Sequence, residues 1–294
     1  NLSAGGVTPY SNYSVKFNGG TQYFSDGDTS GIFNGATSLS ISGWMNIDSG
    51  ETTSIMIGSW KTGATQFLIR WRSPASNSFE FYLNIGSNTR HVDTAGFAIS
   101  YDTWYHVVGT WDGSNMGMYL NGVAYPTAAA TGALNSVSQD NWIGKYGLTS
   151  FADGKMSNIA CWKNTALTQS EITEIYNAGV PTDLSTFSGT APTRWYPMDQ
   201  RATYFNGSTL NIRDTINNND MLGYNYTQGA SAIEGNAPGS SANGTGVNID
   251  ITDLKGDMSG STKNLYSINM ADYGDPNGQG VTPADSGRTT SVPG

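Results

Sequence analysis

Apolar residues recur at every second position through long stretches of this chain. In QFLIRWR (66–72), Phe67, Ile69 and Trp71 share one parity, and Leu68, Arg70 and Arg72 the other. In FEFYLNI (79–85), Phe79, Phe81, Leu83 and Ile85 alternate with Glu80, Tyr82 and Asn84. Successive strand side chains point to opposite faces, so a period of two marks a half-buried strand. The intervening SPASNS is a cluster of turn-forming residues. An antiparallel pair is expected, with an aromatic inner face and an outer face carrying Arg70, Arg72, Glu80, Tyr82 and Asn84.

The same alternation appears in SLSISGWMNI (38–47), where Leu39, Ile41, Gly43, Met45 and Ile47 share a face and Trp44 takes the other. SIMIGSW (54–60), NWIGKYG (141–147) and GKMSNIACWKN (154–164) read as further strands. WYHVVGTWD (104–112) and MGMYLNGVAY (116–125) flank Gly113-Ser114-Asn115 as a hairpin, and Asn121-Gly122 turns the chain again. YSVKFNGGTQYF (13–24) breaks at Asn18-Gly19-Gly20, which predicts another hairpin. Roughly ten short strands joined by tight turns imply a sandwich or barrel. One helix is expected after the last of them. Thr168 and Glu171 form a capping box, Ile172, Ile175 and Tyr176 repeat at helical spacing, and Gly179 and Pro181 end it.

Residues 1–12 read as an N-terminal arm and 181–193 as a linker. Beyond it, RWYPM (194–198) and ATYFNGSTLNI (202–212) are strand-like, and Phe205-Asn206-Gly207 echoes Phe17-Asn18-Gly19. From about 229 onward the chain is rich in Gly, Asn and Ser, with sparse apolar residues such as Val247, Ile249, Ile251, Leu254, Leu265 and Ile268. Such a composition buries little surface by itself. The region 194–294 is therefore expected to pack on the sandwich or on neighbouring chains.

Composition narrows the function. Charged residues make up only 13% of the 294, with 37 Gly, against about 25% charged in an average domain. The net charge is −9 and the 14 Lys and Arg form no run, which excludes nucleic acid as a partner because binding it requires clustered cations. No apolar stretch approaches the ~20 residues of a membrane-spanning helix. The first residue is Asn, as expected of a processed chain or part of a longer one, and no signal-peptide pattern opens it. The single cysteine, Cys161 in IACW, reads as a small core residue.

Three segments resemble the laminin-G-like branch of the concanavalin A-like superfamily: YSVKFNGGTQYF, WYHVVGTWDGSNMGMYLNGV and GKMSNIACWKNTALTQSEITEIYNAG. Trp104, His106, Val107, Asp112, Gly113, Tyr119, Asn121 and Gly122 match its central hairpin. Ala166, Leu167, Thr168, Glu171 and Ile172 match its closing helix. The resemblance spans 13–180 and implies an all-β fold, a two-sheet antiparallel jelly-roll sandwich with one short helix after the last strand and an extended C-terminal region. Relatives often carry an acid at the start of the last strand that helps hold calcium. Here Ser157 and Asn158 stand in that stretch, so no inherited calcium site and no cofactor are expected. Asp26 and Asp28 are the substitute metal candidates, with turn residues as the competing reading. RWYPMDQ and DTINNND (214–220) more loosely resemble modules of marine phage proteins.

Catalytic residues are not expected. Glycosidases need two opposed carboxylates, and the E-x-D-x-x-E run of the family's glucanases is absent. Glu51, Glu80, Glu171, Glu174 and Glu234 are scattered along the chain. His106, inside a strand, reads as a packed or hydrogen-bonded residue. Trp44, Trp104, Trp111, Trp142 and Trp162 read as core. What remains is binding: Trp60, Arg70, Arg72, Glu80, Tyr82 and Asn84 form a candidate sugar-binding face, with a solvated or partner-covered sheet face as the competing reading. The expected function is a non-enzymatic structural protein of a virion, such as a capsid decoration, fibre or tail-associated subunit. Its expected partners are other virion proteins, copies of itself and host surface glycans. The alternative is a carbohydrate-binding adhesin or lectin module of a secreted bacterial protein. Either places it on a virion or outside the cell.

Overall fold

A computed structural model describes residues 13–61, 63–73, 77–86, 88–199, 201–227 and 232–239. The expected arm at 1–12 and the polar stretch from 240 to 294 lie outside the described residues. The chain opens with β1 (Ser14–Asn18), β2 (Tyr23–Ser25), β3 (Leu39–Ile47), β4 (Thr53–Lys61), β5 (Ala64–Arg72), β6 (Ser78–Ile85) and β7 (Asn88–Asp93). Next come β8 (Trp104–Trp111), β9 (Asn115–Leu120), β10 (Val123–Ala124), β11 (Ala128–Ala129), β12 (Trp142–Ile143), β13 (Lys145–Tyr146), β14 (Ser150–Phe151) and β15 (Asp153–Lys163). Helix α1 (Gln169–Tyr176) precedes β16 (Arg194–Tyr196), β17 (Thr203–Asn206), β18 (Thr209–Ile212), β19 (Met221–Tyr224) and β20 (Ile233–Glu234).

Two sheets face each other, every pairing antiparallel. The first runs β10-β9-β8-β3-β15-β1-β20, with β11 on β9 and β16 on β15. The second runs β17-β18-β19-β2-β12-β4-β5-β6-β7, and β13-β14 is a separate hairpin. This is the expected all-β sandwich. The predicted parities hold in β5 and β6: Phe67, Ile69, Trp71, Phe79, Phe81 and Leu83 fill the space between the sheets, fully buried. The sheets approach closely at Gly109, where a methyl group would meet the Phe81 ring at 2.7 Å, so a side chain there would overpack the core.

The outer face of the first sheet is covered. Ile172 and Ile175 of α1 pack with Leu167, Leu184 and Trp195 onto Val108, Ala160 and Trp162. The capping box forms as expected, with Thr168 Oγ1 accepting from Glu171 N and Glu171 accepting from Thr168 N. The helix ends earlier than Gly179. Asn177 takes the left-handed conformation at φ 45° directly after Tyr176, as Asn tolerates better than most residues. Beneath the helix, His106 is buried beside Trp44 and Tyr176, with ring centroids 4.9 and 5.9 Å away, and those two rings also touch each other at 5.9 Å. Its Nε2 lies 2.8 Å from Ser42 Oγ.

Other expectations are corrected. The segment 13–24 is not a hairpin, because β1 and β2 belong to different sheets. Asn18 Oδ1 accepts from the amides of Gly20, Thr21 and Gln22, so the Asn-Gly-Gly turn forms a corner that carries the chain across the sandwich. Fifteen strands, rather than roughly ten, precede α1 among the described residues, because several are two-residue pieces too short to alternate. Trp104 is only partly buried, its Nε1 donating to Asn236 Oδ1 at 3.3 Å. Within 181–193, Leu184 is buried and Thr190 O accepts from Trp162 Nε1 at 2.7 Å, while Ser185, Thr186, Ser188, Thr190 and Ala191 are exposed, so this linker is anchored at separate points. Past it, β16 and β20 join the first sheet, while β17, β18 and β19 extend the second.

Candidate functional site

The outer face of the second sheet carries no helix among the described residues, and the short hairpin β13-β14 lies across part of it, against β4. Gly147 N donates to Trp60 O at 3.2 Å and ties the hairpin down. Between hairpin and sheet is an open cleft of about 320 Å³, lined by Trp60, Thr65, Tyr146, Gly147, Leu148 and Thr149. Leu148 stands 78% exposed at its rim.

Strand register assembles the rest of the face. Arg70 lies opposite Glu80, Glu80 opposite Asp93, and Tyr82 opposite His91. Directly opposed residues of antiparallel strands present their side chains on the same face. Arg70 Nε donates to Glu80 Oε2 at 2.8 Å, and Arg70 Nη2 donates to Tyr82 Oη at 3.3 Å. Tyr82 Oη donates in turn to Glu80 Oε2 at 3.2 Å, while Arg72 Nε sits 4.0 Å from Glu80 Oε1. Burial opposes the Arg70 charge, but Glu80 outweighs it and holds Arg70 above the usual arginine value. Burial, then the nearby Glu80 charge, raises Tyr82 above the ordinary phenol.

Aromatic contacts converge on Tyr82. The His91 ring stacks on it with centroids 5.1 Å apart, and Trp60 meets it edge-on at 5.7 Å. The Arg70 guanidinium lies 5.1 Å from the Tyr82 centroid and 5.7 Å from that of Tyr146. The structure thus brings Trp60, Arg70, Tyr82 and, at the side, Arg72 into one partly exposed group. Glu80 and Asn84 are buried. Asn84 Nδ2 donates to Thr65, and its Oδ1 accepts from Thr89 Oγ1 at 2.6 Å. Both act as braces between strands. Tyr146, Leu148, His91 and Asp93 were not among the residues expected here. NTRHVD (88–93) has no apolar alternation to mark it, and the hairpin 145–151 reaches the face only through the fold. The register also sets Asp93 beside Glu80, a juxtaposition of acids that scattered sequence positions conceal.

The metal candidates are engaged otherwise. Asp26 accepts from Asn141 N at 2.9 Å, Asn141 Nδ2 at 2.6 Å and Asp28 N at 3.1 Å. Burial is the main influence on it and raises its carboxyl above the usual range. Asp28 accepts from Ser30 N at 2.8 Å and from Arg194 Nη2 at 3.0 Å. Its Ser30 hydrogen bonds, opposed by burial and joined by Arg194, lower its pKa. A guanidinium therefore supplies the positive charge there, and no cluster of three or more His, Cys, Asp or Glu that could hold a metal occurs among the described residues. Cys161 is buried and free, and burial pushes its thiol far up. No helix among the described residues is long and apolar enough to cross a membrane.

No curated protein matches the chain. Among solved structures, a candidate carbohydrate-binding protein from Bacteroides ovatus superposes with a TM-score of 0.51 at 20% identity. That match covers 76% of this chain and 61% of that one, less than two thirds of its length. A heptameric SAP-like pentraxin from Limulus polyphemus is similar with a TM-score of 0.46 at 16% identity, over 58% of this chain and 84% of its own. At such identities the likeness is one of fold. The profile of the concanavalin A-like lectin/glucanases superfamily matches residues 18–173. With the sandwich, the capped closing helix and more than half of the sequence in agreement, the chain belongs to the concanavalin A-like lectin/glucanases superfamily.

Proposed function

We propose that the chain is a carbohydrate-binding module that holds glycans without cleaving them. The observation that carries this reading is the open outer face of the second sheet, where Trp60 and Tyr146 line a cleft of about 320 Å³ and Tyr82 meets Trp60 edge-on beside it. Sugar rings present apolar faces edged by hydroxyls, and aromatic rings flanked by hydrogen-bonding groups suit both. The other sheet's outer face is occupied by α1. That the Bacteroides ovatus protein of similar fold is a candidate carbohydrate binder agrees with the proposal.

The use made of the acids supports binding without catalysis. Glu80 is tied to Arg70, Tyr82 and Arg72. Asp93 accepts from Ala95 N at 2.9 Å and lies 3.8 Å from His91 Nε2. Both acids are engaged by neighbouring groups, which favours binding over the acid–base pair a glycosidase requires. No cofactor enters this reading, and it sets the module outside the cell, where glycans are met. The virion expectation rested on the lack of catalytic motifs, the single cysteine, the lack of a signal-peptide pattern and the polar C-terminal region, most of which lies outside the described residues. Glycan binding suits a particle-borne module and a secreted one alike.

The test is a glycan array probed with the wild-type chain and with Trp60→Ala and Tyr82→Ala, each checked for an unchanged melting transition. Loss of an aromatic platform should weaken binding about tenfold or more. A blank array across neutral and acidic glycans would refute the proposal.

A further inference from the structure

We infer that the module's ligand is an acidic glycan, and that Lys145 and Lys61 receive its negative charges beside the Trp60–Tyr146 cleft. This rests on the carbohydrate-binding reading and adds the ligand class to it. Lys145 immediately precedes Tyr146, which lines the cleft, and Lys61 immediately follows Trp60, which lines its other side. Both lysines therefore sit on the segments that wall the cleft, with the Lys145 ammonium turned toward Tyr23, Trp142 and Phe151 and close enough to Lys61 to feel its charge.

Among the described residues the basic side chains divide into those held by a carboxylate and those that are not, the latter being Lys61, Lys145, Arg90, Lys163 and Arg213. Lys16 and Lys155 pair with Asp48, Arg194 with Asp28 and Arg201 with Asp199. Among the described residues, neither Lys61 nor Lys145 has a carboxylate within 4.0 Å. Lys145 Nζ instead sits over aromatic rings, 3.9 Å from the Tyr23 centroid, 4.7 Å from Trp142 and 5.9 Å from Phe151. Ring faces attract an ammonium ion but replace its lost water only in part. Burial accordingly lowers the Lys145 pKa, the Lys61 charge lowers it further, and Asp140 partly offsets both. Asp140 is itself occupied by the Ser25 hydroxyl at 2.7 Å. An incoming anion would supply the missing partner.

Charge distribution across the molecule points the same way. The chain carries a net −9, so an acidic polymer needs local cations to bind it. Arg70 and Arg72 are matched by Glu80, so attraction for an acidic polymer falls to Lys145 and Lys61. The aromatic surface extends past Lys145 to Tyr224, which is stacked on Tyr23 at 4.7 Å and 3° and is 43% exposed. A chain of sugar residues would then run from the cleft, past the ammonium, to this second pair of rings.

The test uses the whole chain and a pair of probes matched in backbone: oligogalacturonides in de-esterified and fully methyl-esterified form. Alginate and chondroitin sulfate oligosaccharides serve as further acidic probes, and neutral oligosaccharides as controls. At low salt, at least one acidic probe should bind about tenfold more tightly than neutral ones, and added NaCl should weaken it. Lys145→Gln should reduce that preference to about twofold, with Lys61→Gln a smaller step in the same direction. A circular dichroism melt confirms that each variant is folded. Equal affinity for acidic and neutral probes, or an acidic preference untouched by Lys145→Gln, would overturn the inference while leaving the carbohydrate-binding reading intact. Binding to no glycan at all would overturn both.

Discussion

His106 offers a quantitative test of how the helix seals the first sheet. It is fully buried, bonded to Ser42 Oγ at 2.8 Å, stacked on Tyr176 and tilted against Trp44. Burial lowers its pKa from 6.5 to about 3. The unfolded chain therefore binds this proton more tightly than the folded chain does. The stability contributed by the neutral imidazole is complete above pH 6.5 and is lost as pH falls from 6.5 toward 3. At pH 5 the unfolded state has gained about 1.5 pH units of protonation free energy that the folded state has not, or about 2 kcal/mol. The perturbation is His106→Gln, which removes the titration and keeps a hydrogen-bonding group near Ser42. Urea unfolding of both proteins at pH 7.5 and pH 5.0 isolates the effect, because titrations elsewhere cancel in the difference. The wild-type chain should lose about 2 kcal/mol more than the variant between those two conditions. Parallel losses, within about 0.5 kcal/mol, would refute the claim that this histidine is sealed from water.

Three further outcomes are expected. Glu80→Gln should destabilise the fold by about 1.5–3 kcal/mol, because it strips the half-buried Arg70 of its charge partner; the Arg70→Met/Glu80→Leu pair should recover most of that loss, as read from chemical denaturation. Gly154→Ala should cost about 3 kcal/mol in the same assay, since φ is +123° and the new methyl group would collide with the Asn46 carbonyl. Millimolar calcium or a chelator should leave the melting temperature unchanged, because Arg194 supplies the cation at Asp28; a rise with calcium would restore Asp26 and Asp28 as a metal site.

What the sequence alone determined is whatever a local period or a local motif encodes. The alternation in QFLIRWR and FEFYLNI specified an antiparallel pair, its aromatic inner face and the outer parity of Arg70, Glu80 and Tyr82, because side-chain direction along a strand follows from position alone. The capping box at Thr168 likewise located α1 through neighbouring residues. The tertiary structure decided everything that depends on which strand lies beside which. Asn18-Gly19-Gly20 became a corner between sheets because β1 found β15 and β2 found β12. Asp93 and His91 joined Glu80 and Tyr82 through the register of β6 and β7, and Arg194 reached Asp28 across 166 positions. Tyr146 and Lys145 entered the candidate site only because a hairpin with no alternation of its own is bonded to Trp60. Such placements are set by the packing of the whole sandwich, whose long-range contacts leave no trace in any short window of sequence.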